Sequence, residues 1–88
     1  MPKRSIVYHA IDSERDYQKQ RWGDRGENHE IDAFAAYIQE YTTQLIRVVG
    51  TTDDTERKLS AMRKIAALCV ACMEKHGAPH RPVGGGVG

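Results

Sequence analysis

Arg15, Gln18, Arg21 and Trp22 fall close together in the stretch ERDYQKQRWGDRGENHE, and His29 follows in the same run. Trp22 is the only tryptophan of the chain. Its ring can stack on a nucleobase, and neighbouring cations can meet phosphate. In one reading Gln18, Arg21, Trp22 and His29 line a pocket at the mouth of a helical bundle, with Arg15 beside them. In the other, Trp22 anchors the first helix while Arg15, Gln18 and Arg21 face water. The two roles are compatible, because one indole can do both.

Other chemistries are thinly represented. Cys69 and Cys72 spell C-x-x-C, but a redox pair wants its first thiol at a helix amino terminus, and this pair lies deep in a helical pattern. Core packing is the better reading. His9, His29, His76 and His80 lack the spacing of zinc ligands. The segment GGGVG has neither the Lys nor the Ser/Thr of a phosphate loop. Arg57, Lys58, Arg63 and Lys64 form a modest basic patch offset by Asp53, Asp54 and Glu56, a solvated helix face that gives no reason to expect nucleic acid.

Three helices must position these groups. In the first, Asp12 or Ser13 can serve as cap, and Ile11, Arg15, Gln18 and Trp22 share a side. GDRGENHE is a loop by composition. From about Glu30 to Val49, Phe34, Ile38, Tyr41, Leu45 and Val48 recur at steps of four and three, the stripe of a packed helix. GTTDD breaks that pattern. Asp53 with Glu56 three residues on predicts a capping box, opening a third helix with Leu59, Met62, Ala66, Cys69 and Met73 on one face. Gly77 and Pro79 end it, and the glycine-rich tail has nothing to pack.

The expected architecture is therefore all-α, a short amino-terminal helix plus an antiparallel two-helix hairpin. The helical domain spans residues 1–78 and a flexible tail spans 79–88. Reflection about residues 51 and 52 places Leu45 against Leu59, Tyr41 against Met62, Ile38 against Ile65 and Ala66, and Phe34 against Cys69. The same register brings Glu40 beside Arg63 and Lys64, as a structural ion pair or as part of a site. Eighty-eight residues give a small core, so completion of the bundle as a homodimer is expected. A net charge of +1 with 40% hydrophobic and 28% charged residues describes a globular chain with no general pull toward nucleic acid or membrane. No apolar run approaches the ~20 residues of a membrane span. The amino terminus lacks the apolar stretch of a secretory signal, and the expected location is cytoplasmic.

ERDYQKQRWG, His29 and the closing AALCVACMEKHGAPHRP together resemble small phage-encoded proteins related to the MazG-like all-α nucleoside triphosphate pyrophosphohydrolases, over about residues 13 to 82. The resemblance implies a helical bundle completed by dimerisation, in the cytoplasm of a phage host. It also implies hydrolysis of a nucleotide between the α and β phosphates by Mg²⁺ held on carboxylates of two helices. At the positions where active relatives carry those carboxylates this chain has Gln39, Glu40, Thr43, Ala61 and Lys64. Only Glu40 is an acid, so Lys64 and Arg63 would supply the charge of the missing metal. The resulting expectation is a scaffold without the Mg²⁺ chemistry and without a cofactor, which binds a host protein or a nucleotide. The alternative is an active pyrophosphohydrolase using Mg²⁺ on displaced ligands, with Glu27, Glu30, Asp32 and Glu40 as candidates.

Overall fold

A computed structural model of the chain describes residues 2–23 and 29–82. Three α-helices make up nearly all of it: α1 (Arg4–Trp22), α2 (Ile31–Thr51) and α3 (Thr55–His76). There is no strand among the described residues, and the fold is all-α. The expected carboxy-terminal tail falls largely on residues 83–88, outside the described residues.

α1 begins eight residues before the predicted cap at Asp12. Pro2 stands just ahead of it and no glycine or proline interrupts it up to Trp22, so nothing in this run opposes helix. Ser13 is interior to the helix, where its hydroxyl donates to the Ala10 carbonyl at 2.7 Å instead of capping. Gly23 then ends α1 with a φ of 56°, a conformation in which a side chain is disfavoured. α2 keeps the predicted stripe inside: Phe34 is buried, and Ile38, Tyr41, Leu45 and Val48 are half-buried. The cap of α3 is Asp54, one residue later than predicted. Its carboxylate accepts from the Arg57 amide at 3.3 Å, while the Thr52 hydroxyl accepts from the Asp54 amide at 3.1 Å. Gly77, with a φ of 114°, closes the helix as its position predicted.

α3 is the middle element. It packs against α2 as the antiparallel hairpin and against α1, whereas α1 and α2 do not pack on each other. The molecule measures 39 × 35 × 23 Å. Its thin dimension is the thickness of two helices, each ~10–12 Å across.

The buried side of α3 differs from the predicted one. Ala67, Leu68 and Ala71 are its inner residues, while Leu59, Met62 and Met73 are 59%, 54% and 43% exposed. The predicted pairs of Leu45 with Leu59 and Tyr41 with Met62 therefore do not form the core. The physical reason is that α3 serves two neighbours. At 100° per residue the buried Ala67 and Ala71 lie between Arg63, Glu74 and Lys64, the residues that bond α1, so the side of α3 turned toward α1 is the one with small side chains.

Truncation of Leu68 to Ala is expected to cost about 2–5 kcal/mol in urea denaturation. Ala67→Leu is expected to cost about 1–3 kcal/mol although it adds apolar surface, because the Glu14–Arg63 and Arg15–Glu74 pairs hold α1 against α3. A stabilised Ala67→Leu variant would contradict the close α1–α3 approach.

Candidate functional site

α1 docks through polar side chains. Glu14, Arg15 and Gln18 are 7%, 5% and 4% exposed. Such groups lose their hydration on burial and must find partners within the protein. Arg63 Nε donates to Glu14 Oε1 at 2.8 Å, and Arg15 Nε donates to Glu74 Oε1 at 2.8 Å. Gln18 Nε2 donates to the Lys64 carbonyl at 3.3 Å. Because a carbonyl only accepts, this bond sets the orientation of the amide. It leaves Gln18 Oε1 buried with no donor among the described residues.

These contacts correct two expectations. Arg15 and Gln18 do not face water. Arg63 pairs with Glu14 of α1 and not with Glu40, which is exposed. Among the described residues neither Glu40 nor Lys64 forms an ion pair. Reflection about the hairpin turn considered α2 and α3 alone, and a third helix with a carboxylate of its own captured the arginine.

Since the backbones of α1 and α2 flank α3 without approaching each other, a cleft of 730 Å³ lies between the two helices. Trp22, Arg21 and Gly23 line it from the end of α1, Phe34, Tyr37 and Tyr41 from α2, and Leu68 from α3. His29 stands at the entry to α2, its ring 5.9 Å from Phe34 and 5.2 Å from Tyr37. His76 holds this corner in place. Its Nε2–H donates to the His29 carbonyl at 2.9 Å, and its ring meets the edge or face of Phe34 at 6.2 Å. A carbonyl only accepts, so Nε2 carries the proton.

A smaller cavity of 180 Å³ adjoins this cleft through shared Arg21, Trp22 and Tyr41, and reaches Gln18, Lys64, Glu14 and Tyr17. Of the residues picked out by the sequence, Arg21, Trp22 and His29 meet in the cleft, and Gln18 and Lys64 in the adjoining cavity. Arg15 and Arg63 brace α1 on α3, and Glu40 stands apart. Tyr37 and Tyr41 were missed as site residues. Tyr41 belongs to the predicted stripe of α2 and Tyr37 lies one turn before it, so helical spacing alone places the two tyrosines together.

The donor set expected for Mg²⁺ does not fit that ion. Of the five positions, Ala61 offers no ligand, the Thr43 hydroxyl donates to the Gln39 carbonyl at 3.0 Å, and Lys64 brings a cation. Mg²⁺ requires hard, preferably anionic oxygens in octahedral array. Among the described residues no three His, Cys, Asp or Glu side chains gather as a metal-binding group, and Glu27 lies outside them. Cys69 and Cys72 are free, half-buried thiols. No helix of the described residues is long and apolar enough to cross a membrane. Comparison with family models, curated proteins and solved structures finds no match.

The bracing pair is open to a double-mutant cycle. Arg63→Met strands the buried Glu14 carboxylate, whereas in a Glu14→Gln background the same change is milder. A coupling of about 1–3 kcal/mol is expected from thermal or urea unfolding. Additive effects would show that the two side chains do not depend on each other.

Proposed function

We propose that this chain is a binding protein for a nucleotide-class ligand, on a helical scaffold like that of the MazG-like pyrophosphohydrolases but without their Mg²⁺ chemistry. The observation that carries the reading is Gln18 Oε1, a buried acceptor without a donor among the described residues, in a side chain that lines a cavity sharing Trp22 and Tyr41 with the main cleft. A buried acceptor without a partner costs about 1–3 kcal/mol. A ligand N–H relieves that cost on binding.

A nucleobase has the matching chemistry. It offers N–H groups in its plane and a π-face for Trp22 or Tyr41. Arg21 and Lys64, which line the same cavity, supply charge for phosphate, with Arg21 able to form two parallel hydrogen bonds. Charge that a metal would otherwise bring comes from these side chains. Binding is thus independent of divalent ions and weakened by salt.

Trp22 gives the readout. Titration with nucleoside triphosphates in excess chelator is expected to change its fluorescence saturably, with affinity falling as salt rises. Arg21→Ala should weaken binding about tenfold, the equivalent of ~1.4 kcal/mol for one charge-assisted contact. Fluorescence unchanged by every nucleotide tested would overturn the ligand reading and leave a protein partner for the cleft. Release of pyrophosphate that requires Mg²⁺ would establish the alternative, an active pyrophosphohydrolase.

A further inference from the structure

The two cavities beside Trp22 differ in size and in chemistry. Pockets that enclose a drug-sized ligand measure about 300–1,000 Å³. The smaller cavity, of 180 Å³, falls below that range and so takes a base rather than a whole nucleotide. The main cleft, of 730 Å³, lies within it. Its lining holds one permanent cation, Arg21, and no carboxylate. Beyond the border with the smaller cavity, the wall from α2 and its entry is made of rings, those of His29, Phe34 and Tyr37. Tyr37 is 42% exposed, and the His29 ring stands 5.2 Å from it. A polyphosphate tail laid along this wall would set several charges beside apolar rings with a single cation to meet them, and each unpaired charge costs free energy. A second flat ring incurs no such cost and gains by stacking.

We propose that the main cleft is a subsite for a second nucleobase, and that the ligand of this chain is a dinucleotide. The inference rests on the nucleotide reading and extends it to the larger cavity. Arg21, Trp22 and Tyr41 are common to both cavities. A ligand that fills both must cross that border, where Arg21 meets the phosphate joining its two halves and Lys64 stands on the side of the first base. The first base offers its N–H to Gln18 Oε1. The second lies against Tyr37 and His29, which line the main cleft and not the smaller cavity. A phosphodiester and a pyrophosphate each supply the required bridge, and they form separate arms of the test.

Titration calorimetry of the whole chain in excess chelator compares the adenosine, guanosine, cytidine and uridine monophosphates with their homodinucleotides, linked through a phosphodiester in one set and a pyrophosphate in the other. At least one dinucleotide is expected to bind about 30-fold more tightly than its mononucleotide, the gain from stacking one further base on an aromatic side chain. Tyr37→Ala should reduce that advantage to about threefold and leave mononucleotide affinity within about threefold, whereas Tyr37→Phe keeps the advantage. Circular dichroism shows whether Tyr37→Ala keeps its helices. If it does not, His29→Ala takes its place, because the bond from His76 goes to the His29 main chain and survives the change. Mononucleotides that bind as tightly as every dinucleotide, or an advantage that survives removal of the Tyr37 or His29 ring, would overturn the second subsite and leave the single-base reading standing. A chain that binds neither mononucleotides nor dinucleotides would overturn both.

Discussion

The whole arrangement depends on how closely α1 can approach α3. Helical rotation puts the buried Ala67 and Ala71 on the side of α3 where Arg63, Lys64 and Glu74 bond α1, and α1 presents Glu14, Arg15 and Gln18 to that side. An apolar helix would have been held by area alone. A polar one has to be held by partners placed to within a few tenths of an ångström, which Arg63, Glu74 and the Lys64 carbonyl provide. This fixes the position of α1 along α3 more tightly than burial would, and with it the position of Arg21 and Trp22 at its end. The cleft is a consequence: α1 is pinned to α3 and never reaches α2.

That economy leaves α3 short of cover. Two of its sides are used by α1 and α2, and the side bearing Leu59, Met62 and Met73 is left to solvent within one chain. Leu68 of the same helix lines the cleft. The ion pairs of Glu14 with Arg63 and of Arg15 with Glu74 hold the α1 wall of the cleft in place.

Much of this was legible from residue spacing. The α2 stripe led by Phe34, the hairpin turn at GTTDD and the stop at Gly77 each rest on local rules, and local rules survived the addition of neighbours. Grouping Ile11, Arg15, Gln18 and Trp22 on one side of α1 was also correct, and three of the five residues first singled out meet at the cleft. What failed was non-local. Helical periodicity shows that α3 has apolar faces but not which one a third helix will claim, and so the exposed stripe was taken for the core. The expected pairing of Glu40 with Arg63 follows from the hairpin register, whereas Glu14, the true partner, lies 49 residues away in sequence. The start of α1 was misplaced because Asp12 and Ser13 carry capping side chains that, in an uninterrupted helical run, simply remain inside it.

The central claim is that the polar docking of α1 serves the site at some expense to stability, and Gln18→Met tests it most directly. Methionine keeps the length of the side chain, removes the buried oxygen that has no donor among the described residues, and gives up one long hydrogen bond to a carbonyl that α3 can still satisfy. Urea unfolding and Trp22 fluorescence titration on the same protein supply both numbers needed. The account predicts stability unchanged or raised by about 1 kcal/mol, together with nucleotide binding weakened about tenfold. A variant clearly less stable than the parent, with nucleotide binding untouched, would contradict it and make Gln18 a structural brace alone.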